Sequence, residues 1–298
     1  MMDQPEEEIE NITVELPGGE TPATRKIRPA LAFFANFLGY GLGYVYVGEI
    51  GLAVGMFAGM YGVIALFSWT RVIMVSATMW WLVAATTILN IVISIIHPAI
   101  IAVKNRQRPA KQYNRWWVYL LWILVVNGVG FTVREHRTEV FGYEPFRVPT
   151  ESMSPTIQNR EFILADSWRY THHSPSNGEI VVFERPGQPG IKYVKRIVGV
   201  PGDRVEARDA VLYRNGAAVT EPYLHALRPY IPYGRDFAPM LVGPGQVFVL
   251  GDYRDNSLDS RAWGPIPIDH LHGRAEYIWL SLAQGVDRWR RIGVLLRP

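Results

Sequence analysis

The 298-residue chain contains no cysteine, which excludes disulfides, thiolate metal ligands and a cysteine nucleophile. Its net charge of +3 at pH 7 is too small to indicate a partner among nucleic acids, and its basic residues cluster beside apolar runs. We predict that residues 1–28 are a solvated tail and not a cleavable targeting signal, because the apolar region that follows begins too late and is too long. Repeats and low-complexity segments are absent. What the chain does have is a large apolar fraction, 49%, that is unevenly distributed.

The apolar residues are concentrated between residues 29 and 133. We therefore predict a polar N-terminal tail (1–28), a membrane region of three to four apolar segments (29–135) and a separate β domain (136–298). The fold class is then a membrane-anchored, mainly-β protein, with transmembrane helices preceding an antiparallel β domain.

Residues 50–69, 72–103 and 116–133 are each long and apolar enough to cross about 30 Å of hydrocarbon. The loop at 104–115 carries five basic and no acidic residues, which indicates the cytoplasmic side. The basic end of the N-terminal tail favours the same side, and this requires an even number of crossings before the loop. We therefore predict that residues 31–47 form a re-entrant or interfacial element, and that the chain beyond residue 134 lies outside.

The β domain is predicted from short β-branched runs that are separated by Gly, Pro and Asn. Asn215-Gly216 indicates a hairpin, because both residues accept the positive φ of a tight turn. The predicted strands are residues 162–165, 179–184, 193–198, 211–214 and 246–250.

Ser152 lies between Pro149 and Pro155, a pattern typical of a stiff turn that presents a side chain, and also of ordinary surface turns. A serine nucleophile needs a nearby base. The candidate histidines are His172, His173, His225, His270 and His272, and none of them has a motif around it. Metal binding by His172-His173 or His270-x-His272 is the alternative, but no carboxylate lies at metal-ligand spacing, so we interpret them as solvated loop residues with no metal bound.

Lys195 is the alternative base. Strand alternation places it on one face with Tyr193 and Ile197, and if that face is buried, Arg196 on the other face stays in water. Desolvation lowers the pKa of an amine, but a general base needs a pKa about three units below the ordinary value, at a cost of about 4 kcal/mol. Considered alone, Lys195 fits a snorkelling strand lysine better.

The polar stretch at 251–264 follows an apolar strand, and eight of its fourteen residues are Asp, Arg, Asn or Ser. Such a loop can hydrogen-bond itself into a fixed shape and hold neighbouring side chains. A solvated loop and a calcium loop are the alternatives, although EF-hand spacing does not fit because the sixth position is not glycine.

Taken together and in order, these stretches resemble the bacterial type I signal peptidases, membrane-anchored Ser/Lys proteases that remove signal peptides from exported proteins. The resemblance covers residues 134–298. It rests on Tyr143-Glu-Pro-Phe146-Arg-Val148-Pro149-Thr150, Ser152-Met153-x-Pro155-Thr156, Gly178-Glu-Ile-Val-Val-Phe, Lys195-Arg196-x-Val198-Gly199-x-Pro201-Gly202-Asp203, Gly251-Asp252…Asn256-Ser257-x-Asp259-Ser260-Arg261-x-Trp263-Gly264 and Ile278-Trp279-Leu-Ser.

The resemblance implies that Ser152 is the nucleophile and Lys195 the general base of an acyl-enzyme mechanism that needs no cofactor. It implies an oxyanion site at the Ser152 N–H and the Thr150 hydroxyl, and cleavage after small residues (Ala-x-Ala). The other implied roles are support of the site by Ser257, Asp259, Arg261 and Tyr193, substrate contact by Phe146, Val148, Met153 and Val194, and membrane contact by Trp279 and Trp289 beside Arg288, Arg290 and Arg291.

The implied partners are secretory preproteins, the lipid bilayer and the secretion machinery, at the outer (periplasmic) face of the bacterial cytoplasmic membrane. Two residues depart from the family pattern: Glu151 stands where glycine is usual, and Tyr253 replaces a common asparagine. The membrane region is also longer than the family's anchor. A self-cleaving Ser/Lys protease of the repressor type and a catalytically inactive membrane scaffold are the competing interpretations; the apolar segments argue against the first.

Overall fold

The computed structural model describes residues 24–104, 107–109, 114–224 and 236–296, so residues 1–23 of the predicted tail, and His225, lie outside the described part. The chain divides into two compact units, Met1–Ala53 with Ser94–Ile123 and Val54–Ile93 with Leu124–Pro298.

Three of the described helices are long and apolar enough to cross a membrane, at the positions predicted for spans. The middle one begins at Ala77 instead of residue 72, because the left-handed Arg71 (φ 62°) and a 3-10 turn over residues 72–74 interrupt the helix. The helices are α1 (Pro29–Phe34), α2 (Leu42–Val47), α3 (Ile50–Trp69), α4 (Ala77–Lys104), α5 (Trp116–Glu135), α6 (Arg137–Phe141), α7 (Arg169–His172), α8 (Ser260–Trp263) and α9 (Arg288–Arg291).

Residues 31–47 do not form one long helix. Between α1 and α2 the chain makes a 3-10 turn and then a left-handed turn at Gly41 (φ 78°). The Asn36 side chain fixes this break, since it donates to the Ala32 carbonyl (2.9 Å) and accepts from the Gly43 N–H (3.1 Å). Two six-residue helices are each too short to cross a bilayer.

A two-stranded antiparallel pair joins the basic end of the tail to the basic loop, with Thr24 opposite Pro109 and Lys26 opposite Gln107. Paired strands lie about 4.8 Å apart, so the two segments occupy the same side of any membrane. This agrees with the charge pattern, which predicts a common side for them.

The β domain contains a seven-stranded antiparallel sheet in the order β12-β11-β6-β5-β13-β4-β3 and a four-stranded sheet in the order β10-β7-β8-β9. The predicted antiparallel architecture is therefore confirmed, as are the five predicted strands. The strands are β1 (Thr24–Lys26), β2 (Gln107–Pro109), β3 (Tyr143–Val148), β4 (Glu161–Asp166), β5 (Ile180–Glu184), β6 (Lys192–Gly199), β7 (Arg204–Arg208), β8 (Val211–Arg214), β9 (Ala217–Ala218), β10 (Phe237–Leu241), β11 (Gln246–Leu250), β12 (Ile266–Pro267) and β13 (Leu271–Ser281).

Alternation along the strands fills two cores. On β4, Ile163 packs with Val182 and Ile278 on one face, whereas Leu164 packs with Tyr277 on the other, and all are fully buried. Each buried aliphatic side chain contributes roughly 1.5–3 kcal/mol. The predicted hairpin joins β8 to β9, with positive φ at Asn215 and Gly216.

Three segments of this domain converge. The β3–β4 loop carries Ser152, β6 carries Lys195, and β11 leads into the polar stretch at 251–264. Because Leu250 pairs with Arg196 in antiparallel register, the chain that leaves β11 runs beside Lys195.

Candidate active site

Ser152 is held in its loop from both sides. Its carbonyl accepts a hydrogen bond from the Tyr253 N–H (3.0 Å), and the next side chain, Met153, is fully buried. Ser152 is half-buried, and the Oγ1 of the exposed Thr150 lies 3.3 Å from Ser152 Oγ. Glu151, at the position of the usual glycine, is exposed. The stiff turn that the sequence predicts is thus tied to a second loop.

Lys195 brings its amine to this hydroxyl. Its Nζ lies 2.7 Å from Ser152 Oγ and 3.1 Å from the Val194 carbonyl, and the residue is only 3% exposed. Burial lowers the pKa of Lys195 from 10.5 to about 8, against the opposing effect of the Asp259 and Asp252 carboxylates. At pH 7 about a tenth of such amines are neutral. This geometry suits a general base.

The polar stretch at 251–264 does hydrogen-bond itself, with Asp259 at its centre. The Asp259 carboxylate accepts from the Ser257 hydroxyl (2.8 Å), the Gly251 N–H (3.0 Å) and the Arg261 guanidinium (2.8 Å). The Ser257 hydroxyl donates to Asp259 and not to Lys195. Arg261 also donates to the carbonyls of Arg254 and Ser257, which ties the loop together.

Gly251 permits the close approach of this loop to Ser152. A Cβ at Gly251 would lie 2.2 Å from Ser257 Oγ and 2.5 Å from the Ser152 carbonyl oxygen. Any larger residue there would push apart the two loops that carry Ser152 and Ser257.

The prediction that Arg196 stays in water is wrong. Arg196 is 4% exposed, and its guanidinium forms two hydrogen bonds with Asp252 (2.9 and 2.7 Å) and stacks on the Tyr223 ring at 3.8 Å. Asp252 also accepts from the Thr156 hydroxyl (2.5 Å), so it joins the strand of Lys195 to the loop of Ser152. The sequence analysis did not predict this ion pair. Its only indication in the sequence is that Arg196 and Asp252 each lie in one of the motifs that carry the resemblance.

The residues expected to contact substrate lie together in one apolar cluster. Val148 and Met153 are buried at 3% and 0% exposure, and Phe146 and Val194 pack against them half-buried. Tyr193 lies on the other face of β6, where its ring packs on Phe183 and Trp263 and its hydroxyl donates to Gln188 (2.6 Å).

The two tryptophans that are expected to contact the membrane differ in exposure. Trp289 is 84% exposed, whereas Trp279 is half-buried against Trp80 and Trp81, with ring centroids 5.7 and 5.8 Å apart. The expected basic cluster is not wholly open to a lipid surface, because Arg291 binds the buried Glu161 at 2.7 Å.

The described histidines take no part in the contacts of Ser152. His172 and His173 are exposed, but interpreting all of them as solvated loop residues is wrong. His270 Nδ1 lies 3.0 Å from the Glu184 carbonyl, and His272 lies in β13 with its Nε2 3.2 Å from the Glu184 carboxylate. Within the described ranges no three His, Asp or Glu side chains are grouped to hold a metal ion.

Comparison with known proteins gives consistent matches. The family model "Signal peptidase, peptidase S26" matches residues 115–280. The probable signal peptidase I-1 of Synechocystis sp. is 31% identical over 160 residues, which covers 51% of this chain and 77% of that protein. Signal peptidase I of Pseudomonas aeruginosa is 27% identical over 248 residues, covering 66% and 84%.

Among solved structures, a signal peptidase I from Enterococcus faecalis V583 aligns at 33% identity with a TM-score of 0.31. That alignment covers 34% of this chain and 97% of the other.

Proposed function

The chain belongs to the signal peptidase family, peptidase S26, and on that premise we propose that it is a serine endopeptidase that removes N-terminal signal peptides from exported preproteins. The observation that carries this proposal is the 2.7 Å separation of Ser152 Oγ from the buried Lys195 Nζ. A desolvated amine beside a hydroxyl is what a Ser/Lys dyad requires.

In the proposed reaction the neutral Lys195 amine takes the proton of Ser152 as Oγ attacks the scissile carbonyl carbon. The resulting ammonium then gives that proton to the leaving amine as the C–N bond breaks, which leaves an ester on Ser152. Lys195 next takes a proton from a water molecule as the water oxygen attacks the ester carbon. The ammonium then returns that proton to Ser152 Oγ as the ester C–O bond breaks, which releases the acid and restores the free enzyme. No metal or nucleotide enters any of these steps.

The Thr150 hydroxyl and the Ser152 N–H are the proposed donors to the oxyanion. Thr150 Oγ1 lies 3.3 Å from Ser152 Oγ, close enough to reach an oxygen that develops on the attacked carbon. Asp259, with Arg261 and Ser257, would hold the neighbouring loop in shape. Since the Ser257 hydroxyl donates to Asp259, we assign Ser257 an indirect role in orienting the pair.

The substrate would bind as an extended strand. Among the described strands, β3 is the last of its sheet. The only part of β6 that β11 pairs with is Arg196–Gly199, so the first half of β6 has an open edge. The two open edges face each other, since Lys192 of β6 binds Glu144 of β3 (3.2 Å) and lies over the Phe146 ring. An extended peptide placed between them would form backbone hydrogen bonds with both edges.

The proposed specificity for small residues (Ala-x-Ala) follows from the floor of this opening. Val148 and Met153 are buried, and Phe146 of β3 and Val194 of β6, the two strands beside the opening, pack against them half-buried. A floor that is already packed leaves depth for a methyl group but not for a large side chain.

The proposed location is the outer face of the bacterial cytoplasmic membrane, with preproteins, the bilayer and the secretion machinery as partners. If α3, α4 and α5 each cross once, the paired basic segments lie on one side, and the α3–α4 connection and the β domain on the other. The positive charges favour the cytoplasm for the first side.

The test is cleavage of a preprotein by the full-length chain in proteoliposomes. Ser152→Ala and Lys195→Ala are each expected to abolish cleavage while the β domain stays folded by circular dichroism. Ser154→Ala, which removes a nearby hydroxyl bound to Gln158, is the control and should cleave normally. Full activity in either of the first two variants would refute the dyad.

A further inference from the structure

The segment that joins α3 to α4, residues 70–76, is packed on the β domain; we call it the connector. Ile73 and Met74 are 1% and 4% exposed and belong to the same apolar core as Leu164 of β4 and Tyr277 of β13. Val75, the next residue, is 58% exposed. One apolar side of the connector therefore packs on the β sheet, and the side that carries Val75 is exposed.

Polar contacts fix the register of this packing. The fully buried Tyr277 donates its hydroxyl hydrogen bond to the Ile73 carbonyl (2.6 Å). Arg71 forms an ion pair with the buried Asp166 and lies over the Trp168 ring at 5.6 Å. Buried hydrogen bonds and ion pairs are directional, so they define one docking position where apolar packing alone would allow several.

Tryptophans at the helix ends extend the contact. Trp81 Nε1 donates to the Trp279 carbonyl (3.2 Å), and the Trp80 ring packs on Tyr143 at 5.1 Å. On the other helix, Trp69 Nε1 donates to the Val140 carbonyl (3.0 Å). Both helices that flank the connector are thus bound to the β domain.

These contacts hold one end of the structure that carries the nucleophile. β3 and β4 are paired along their whole lengths, with Tyr143 opposite Asp166 at one end and Val148 opposite Glu161 at the other. The connector contacts the first end, and the loop of Ser152 leaves the second. At about 3.4 Å per residue the two ends lie roughly 17 Å apart.

We propose that the connector is a positioning element, which fixes the Ser152–Lys195 pair relative to the apolar helices so that the pair meets the scissile bond of a bilayer-held substrate. This inference rests on the proposed function and assigns a purpose to the additional spans. A displacement of about 1 Å between a reacting group and its target costs up to about 100-fold in rate. A substrate free in solution can adjust its own position, whereas one held in the bilayer cannot.

The test compares two substrates in one preparation of full-length protein in proteoliposomes: a preprotein embedded in the same vesicles and a short soluble peptide with the same cleavage site. Ile73→Glu inserts a charge into the docked side of the connector, and Val75→Glu makes the same change on its exposed side. For Ile73→Glu we expect kcat/KM to fall at least about tenfold on the preprotein and to stay within about twofold on the peptide. Val75→Glu should leave both values within about twofold.

Unchanged cleavage of the preprotein by Ile73→Glu, or an equal loss on both substrates, would overturn the positioning role. Wild-type protein that cleaves neither substrate would instead refute the proposed function itself. Docking is measured separately through thiol reactivity, because the natural chain has no cysteine. Met74→Cys should react with a maleimide at least about tenfold more slowly than Val75→Cys, in line with their burial; equal rates would show that the connector is not docked.

Discussion

The amine of Lys195 and the hydroxyl of Ser152 lie 2.7 Å apart, although the residues are 43 positions apart in the chain. The amine is buried, and the carboxylates of Asp259 and Asp252 raise its pKa less than burial lowers it. Burial is thus the reason that a fraction of the Lys195 amines is neutral near pH 7. The same burial of a charged group lowers the free energy of unfolding of the protein.

Replacing Lys195 with methionine should stabilise the protein at pH 7. The pKa of Lys195 is about 8 when folded and 10.5 ordinarily, so between these values the unfolded chain holds a proton that the native state has released. Stability therefore rises with pH through this window, and the full penalty, about 3 kcal/mol, applies below pH 8. With about 1 kcal/mol of hydrogen bonding lost, we expect Lys195→Met to gain about 1–3 kcal/mol at pH 7.

The melting temperature of the full-length protein in detergent, measured by circular dichroism at pH 7 and at pH 9.5, checks this. The gain should be smaller at pH 9.5. A variant that melts at a lower temperature than wild type at pH 7, or a stabilisation that increases with pH, would contradict the lowered pKa of the buried Lys195 amine.

Asp252→Asn should both destabilise the fold and shift the pH profile. It leaves the buried Arg196 without its counter-charge, which costs about 3–5 kcal/mol. It also removes a carboxylate that raises the pKa of Lys195, so the rising limb of kcat/KM against pH should move to lower pH. Melting curves and a pH–rate profile measure the two effects.

The matched control is Asp287→Asn, whose partner Arg290 is 89% exposed and whose pairing should contribute at most about 0.5 kcal/mol. Equal melting temperatures for the two variants would show that the buried pair does not hold the loops together.

Gly251→Ala should reduce activity about 100-fold or more, and overpacking at this buried position should cost about 1–3 kcal/mol of stability. The added methyl group collides with the Ser152 carbonyl and Ser257, so the loop of the nucleophile must shift. Gly243→Ala is the control, because its Cβ would meet only the flexible end of the Gln246 side chain. Peptide cleavage and melting curves are measured on both; wild-type activity in Gly251→Ala would mean that the close approach is unnecessary.

Thr150→Val should lower kcat by about 100-fold and leave KM close to the wild-type value, because an oxyanion donor acts in the transition state and not in the ground state. Valine matches threonine in shape, and Thr150→Ser, which keeps the hydroxyl, should recover most of the activity. Steady-state kinetics on a soluble peptide separate the two parameters. A loss confined to KM would reassign Thr150 to substrate binding.

Local patterns predicted much of this molecule. The apolar runs gave the three long helices, and β-branched runs and Asn215-Gly216 gave the strands and the hairpin, because these depend on neighbours in sequence. Alternation along β6 correctly predicted that Tyr193 and Ile197 lie on the opposite face from Val194. The first two pack in one apolar core, and Val194 packs against another. It failed for Arg196, whose burial depends on a carboxylate 56 residues away.

The packing of the connector could not be predicted from local patterns either, because its partners are also distant in sequence. Ile73 is buried by Tyr277, which lies 204 residues further along the chain, and nothing near Ile73 in sequence indicates a partner. The contact between Ser257 and Asp259 was equally hidden, because the choice of acceptor for a hydroxyl depends on loop geometry.

The role of Lys195 as the base for Ser152 is tested most directly by the pH dependence of kcat/KM on a soluble peptide between pH 6 and pH 10. If the buried Lys195 is the base, kcat/KM should rise with pH along a single limb with a midpoint of about 8, as its neutral fraction grows. A flat profile, or a midpoint near the 10.5 of an exposed lysine, would contradict it.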